Sequence, residues 1–216
     1  MPASNMTLDE LPYFAQGAVL PEPLPTLGIH FIVKYGTGVD LMEGQNMLFV
    51  RQATTVPVPQ VYAMFRETES GENYIVMERI QGRSLDHEWS LLCQREKHAV
   101  ASKIKRGFEE LRKLPSPGGF CSLGTRPLSD DIFGTDSESA SLAGPFATES
   151  ALNEAILRTL LRAQISIHKI NFYRRAFSNV FCKHPPTYTH GNFQRSKVVI
   201  QRPWNTSNCD ASKKND

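Results

Sequence analysis

Four cysteines are scattered along the chain, with no Cys-x-x-Cys pair and no histidine at zinc-finger spacing beside them. That pattern argues against a structural zinc site, and Cys93, Cys121, Cys182 and Cys209 read as reduced thiols. No segment supplies the roughly 18 uninterrupted apolar residues that a membrane helix needs. The opening "MPASNMTLDELPYF" also lacks the basic start and continuous apolar region of a signal peptide. These absences lead to the expectation of a cytoplasmic protein with no membrane partner, in which the sequons at Asn5 and Asn205 carry little meaning. Charge of one sign is not in excess either. Charged residues make up 21% and the formal net charge is +2, so nucleic acid is not an expected partner. The one basic run, "REKHAVASKIKR" (95–106), interleaves its charges with Ala and Val at helical spacing and reads as a solvated helix face. No internal repeat is visible.

What is present is enough apolar material, 40% of 216 residues, for a substantial core. Residues 1–27, rich in proline and polar side chains, are expected to be an extended lead-in. "IHFIVKYG" (29–36) is β-branched and aromatic, and predicts a strand that carries Lys34 near its end. "VDLMEGQNMLFVRQA" (39–53) predicts a helix. Asp40 and Glu43 have capping-box spacing, and Met47 and Val50 put Glu43 on an inward stripe. "TTVPVPQVYAMF" (54–65) is extended because Pro57 and Pro59 forbid a helix, and "ESGENY" turns into the strand "YIVMERI" (74–80). From residue 84 helices take over. Val100, Ile104, Phe108, Leu111 and Leu114 recur every three or four residues until "LPSPGG". The stretch 121–146 reads as a loop-rich surface insertion, 149–168 as one helix and "KVVI" (197–200) as a strand; the last residues form a polar tail.

Phosphoryl transfer from ATP requires a lysine on the phosphates, a carboxylate holding it, a base at the acceptor hydroxyl, and an amide and a carboxylate for magnesium. The ordered segments "VKYG", "LMEGQNMLFV", "TTVPVPQVYA", "YIVMERIQGRSL", "LRKLPSPGGF", "GPFATESALNEAI" and "YTHGNFQRSKVVI" resemble the fungal branch of the aminoglycoside phosphotransferase and choline-kinase-like family. The resemblance covers roughly residues 29–200 and implies an α+β, two-lobed protein-kinase-like fold. On that reading 28–82 is a small N-lobe (strand, helix, strand, strand), 83–202 a largely helical, incomplete C-lobe, and 203–216 a tail. It implies ATP and Mg2+ as cofactors and a small hydroxyl-bearing acceptor. Lys34 would reach the α- and β-phosphates with Glu43 paired to it, and the backbone from Glu78 to Ile80 would face the adenine edge.

The family loop reads H-G-D-x-x-x-x-N, where the aspartate takes the acceptor's proton and the asparagine holds magnesium. Here His190 and Gly191 match, but Asn192 occupies the aspartate position and Lys197 the asparagine position. An amide cannot accept a proton at neutral pH, and an ammonium has no lone pair for a metal. Catalysis is therefore expected to be lost or strongly impaired and metal binding weakened, although Lys197 could itself neutralise phosphate. The family continues with a second metal-binding aspartate on a strand, whereas Asp210 lies in polar "SNCDAS"; a shortened family member and a longer true product both remain open. The readings from other classes are an active kinase with an unusual loop, and a non-catalytic pseudokinase or scaffold that self-associates or docks a partner through exposed helices. Without the resemblance, Lys34 is an ordinary strand lysine, Glu43 a capping residue, His190 a structural ring and Asn192 a turn residue.

Overall fold

The structure, a computed structural model, describes residues 31–133 and 141–201. The expected lead-in and tail, with Cys209, Asp210 and both sequons, lie outside the described residues. The protein is a mixed α+β chain that falls into two compact units. One comprises 31–112 with 189–201, the other 113–133 with 141–188. The division comes at 112–113 and 188–189, and a short strand pair joins the chain after residue 189 to the first unit.

The first unit is built on an antiparallel sheet of β1 (Phe31–Gly36), β2 (Val61–Arg66) and β3 (Asn73–Glu78) in the order β1-β3-β2. Lys34 and Met64 lie opposite Ile75 from either side, so all three share one face. Helix α1 (Leu41–Ala53) covers that face; its Gly44 is buried, and a Cβ there would meet the Met64 sulfur at 3.1 Å. Beneath it Val39, Val61 and fully buried Ile75 form a core with Leu41, Met47, Leu48 and Met64. The opposite face carries an aromatic ladder, with Tyr74 stacked between Tyr35 (5.8 Å) and Phe65 (5.0 Å).

After β3 the chain crosses a four-residue connector into β4 (Arg83–Ser84), which pairs antiparallel with β5 (Val199–Ile200). A short helix α2 (Leu85–Glu88), a 3-10 turn (Trp89–Leu91) and the long helix α3 (Gln94–Leu111) follow. The Cys93 amide donates to Glu96 at 2.8 Å to start α3. Leu85, Leu92 and Val100 form a second core, closed by Trp89, Ile104, Val198 and Ile200. Residues from the distant loop thus complete the packing of α2 and α3.

In the second unit the helix expected over 149–168 ends early, as α4 (Glu149–Arg162), and is followed by a helix that was not expected, α5 (Ile167–Val180). The break is a Schellman-type end, with the Gln164 amide bonded to the Leu161 carbonyl at 3.0 Å and Ile165 to Leu160 at 3.1 Å. Gln164 takes the left-handed conformation (φ 60) usually left to glycine, so no glycine announces the stop; the Ser166 hydroxyl then accepts from the Lys169 amide to cap α5. The stretch 121–146 is not simply a surface insertion. Phe133 and Ala143 are buried with Ala155 of α4 in the core of this unit. Cys93, Cys121 and Cys182 are free thiols, and burial raises the Cys121 pKa. No helix among the described residues is long and apolar enough to cross a membrane.

Candidate functional site

All seven expected site residues belong to the first unit. Lys34 on β1 donates its ammonium to Glu43 Oε2 on α1. The helix start is served instead by Asp40, whose Oδ1 accepts from the Met42 amide at 2.9 Å, so the Glu43 carboxylate is engaged with the lysine. Glu43 is not inward-facing. Its side chain is 46% exposed and that of Lys34 45%. An exposed pair of this kind contributes only about 0–1 kcal/mol, so stability does not explain why a strand and a helix hold it. What the pair does provide is an ammonium with a fixed direction, still open to solvent.

In the connector, the Glu78 amide is already bonded to the Gln60 carbonyl (2.8 Å), and its carboxylate accepts from the Gln60 amide (3.1 Å). That amide has no freedom to read a ligand edge. Ile80 is half-buried, and its backbone groups make no hydrogen bond among the described residues. Gly82 has φ 137, and a Cβ on it would run into the Ile200 carbonyl oxygen. Only glycine lets the connector lie this close to β5.

The loop before β5 is held by contacts that sequence reasoning missed. The His190 ring lies edge-on to Phe193 (5.7 Å), and Phe193 edge-on to Phe108 of α3 (5.0 Å). Arg195 sits 3.6 Å from Asp86 of α2, and its guanidinium lies 5.5 Å from the centre of the Trp89 ring. Lys97 of α3 approaches the same ring at 5.5 Å. Asn192 Oδ1 accepts from Gln194 Nε2 at 2.7 Å. Residues Arg195–Lys197 form a 3-10 turn closed by the Lys197 amide on the Gln194 carbonyl (3.0 Å). The Lys197 side chain is exposed and makes no ion pair among the described residues. The signal that could have found this clasp was an indole flanked in sequence by Asp86 and Lys97, but nothing in the spacing ties Trp89 to residue 195.

Chemically, this loop has no proton acceptor at residue 192, because a carboxamide is not basic at neutral pH. Its donors do not suit magnesium: the Asn192 oxygen already holds an internal hydrogen bond, and the Lys197 ammonium would repel a dication. No group of three or more His, Cys, Asp and Glu gathers among the described residues. What remains is cationic: Lys34 held by Glu43, Arg195 held by Asp86 and Trp89, and Lys197. The fold and the site thus define a mixed α+β chain with a solvent-open lysine–glutamate pair and a basic loop in one unit. No protein-family model, curated protein or solved structure matches the chain.

Proposed function

We propose that the sheet-bearing unit is the nucleotide-holding part of a kinase-like fold, related to the aminoglycoside phosphotransferase and choline-kinase-like proteins. It binds ATP phosphates through Lys34 and has lost efficient phosphoryl transfer. The observation that carries this reading is the Lys34–Glu43 pair, which joins the face of a three-stranded sheet to the helix packed on it. In this role Glu43 orients the ammonium towards phosphate, and the backbone of Ile80, which makes no hydrogen bond among the described residues, takes the adenine edge in place of Glu78. The loop supports the second half of the reading: Asn192 stands where the family has its base and Lys197 where it has its magnesium-binding amide, and general-base assistance alone is worth about 10²- to 10⁴-fold. The protein acts in the cytoplasm, where ATP is abundant, as a nucleotide-responsive pseudokinase.

The test has two arms. ATP titrated into the full chain should bind saturably, with the affinity falling about tenfold or more in Lys34→Ala. Labelled ATP offered with a panel of amino alcohols and sugars should give no product with the natural loop. Absence of ATP binding would sink the proposal, and transfer as fast as in the double variant Asn192→Asp, Lys197→Asn would sink the loss of catalysis.

A scaffold role is favoured by a separate observation. On and just after α5, Phe172, Val180 and Phe181 are 60%, 61% and 47% exposed, apolar surface available to a partner. Light scattering during size exclusion should then report a dimer or larger species, and a monomer at all concentrations would remove self-association from consideration.

A further inference from the structure

Resting on the nucleotide-binding reading, we infer that this unit holds ATP without a divalent cation, because the Lys197 ammonium supplies at the phosphates the positive charge that magnesium would otherwise bring. The loop cannot do both. An ammonium in the position where the family loop carries its metal-binding amide disfavours the dication, and the Asn192 oxygen already accepts one hydrogen bond, from Gln194. The same ammonium is well suited to an anion. It is exposed, has three donors and faces no carboxylate among the described residues.

Its backbone is also fixed from both sides. The turn closes on the Gln194 carbonyl, and two residues later Val199 enters the β4–β5 pair opposite Ser84. The neighbouring cation is not available for this work, since Arg195 is tied to Asp86 and lies against Trp89. Arg195 therefore anchors the turn and leaves Lys197 as its unneutralised charge. Residues 189–201 contain these two cations and no carboxylate, so the segment as a whole favours a polyanion. The segment is attached at the far end of the connector, through Gly82 against the Ile200 carbonyl, and Lys34 lies opposite Ile75, three residues or roughly 10 Å up β3 from Glu78, where the connector begins. Free ATP is more anionic than its magnesium complex, and a loop that presents an ammonium in place of a metal-binding amide favours the free form.

The experiment is a calorimetric titration of ATP into the full chain, once with EDTA and once with excess magnesium chloride. The unmodified protein should bind in EDTA at least as tightly as in magnesium. Lys197→Ala should weaken the EDTA affinity about 10- to 100-fold while leaving the melting temperature of the free protein unchanged. Lys197→Asn, which exchanges the ammonium for an amide oxygen, should bind better in magnesium than in EDTA. Binding by the unmodified protein only when magnesium is present would overturn this inference and leave the nucleotide-binding reading standing, as would an unchanged EDTA affinity in Lys197→Ala. Binding in neither buffer would overturn the parent reading, and this one with it.

Discussion

Charged side chains fasten helix to helix in the helical unit, whereas in the sheet-bearing unit the Lys34–Glu43 pair lies half in solvent. Glu154 of α4 takes two hydrogen bonds from Arg174 of α5, at 3.1 and 3.0 Å, and has Arg158 as a further neighbour at 3.9 Å. Glu149, at the start of α4, accepts from both the backbone amide (3.0 Å) and the ring (2.7 Å) of His184. These contacts fasten helix to helix and helix to the following strand of chain. The sheet-bearing unit uses the same residue types differently. Lys34 and Glu43 hold each other half in solvent, and Lys197 has no acid among the described residues. One arrangement fastens the fold together; the other leaves a half-exposed pair and an exposed lysine at the surface, which the proposed nucleotide would use.

The largest expected effects set the two units apart as folding entities. Ile75 and Ile170 are each fully buried, one under α1 and one in α5, so Ile75→Ala and Ile170→Ala should each cost about 2–5 kcal/mol. Urea unfolding followed by hydrogen exchange should show Ile75→Ala exposing the amides of β1 to β3 first, and Ile170→Ala those of α4 and α5. Protection lost uniformly in both variants would mean that the two units unfold as one.

Gly82→Ala comes next, at about 1–3 kcal/mol, because a side chain at φ 137 is strained and meets the Ile200 carbonyl. Its signature should be loss of amide protection around β5, and retained protection there would contradict the close approach. Acid should act mainly on the helical unit. Arg174 donors lower the Glu154 pKa from the ordinary 4.5, and the His184 backbone amide, followed by its ring, does the same for Glu149. With folded values depressed, their contribution is complete above pH 4.5 and is lost as pH falls through the folded values. The urea midpoint of the helical transition should therefore drop on acidification below that point, and less so in Arg174→Met, which removes the donors that hold the Glu154 carboxylate ionised. The smallest effect on stability belongs to Lys34→Ala, about 0–1 kcal/mol, since the pair is half exposed. A loss of several kcal/mol would show that the pair fastens the fold after all.

Much of the sheet-bearing unit was legible in the sequence because its signals are local. β-branched runs gave the strands, Pro57 and Pro59 the extended link, and Asp40 the helix start. Lys34 and Glu43 could be named as partners, but whether Glu43 would cap the helix or hold the lysine depended on the spacing of β1 from α1, which only the folded register fixes. Two misreadings had the same kind of cause. The end of α4 carries a left-handed glutamine instead of glycine, so it gave no local sign, although Ile170, Tyr173 and Phe177 carry helical spacing after it. The clasp of Asp86 and Trp89 on Arg195 joins residues about a hundred positions apart, beyond the reach of any periodicity.

The central claim is that the open lysines of one unit hold a nucleotide while the closed charges of the other do not. Hydrogen exchange of the full chain with and without ATP tests it most directly. The account predicts slowed exchange in β1, α1 and residues 190–200, with α4 and α5 unchanged. Protection confined to α4 and α5, or none anywhere at millimolar ATP, would contradict it.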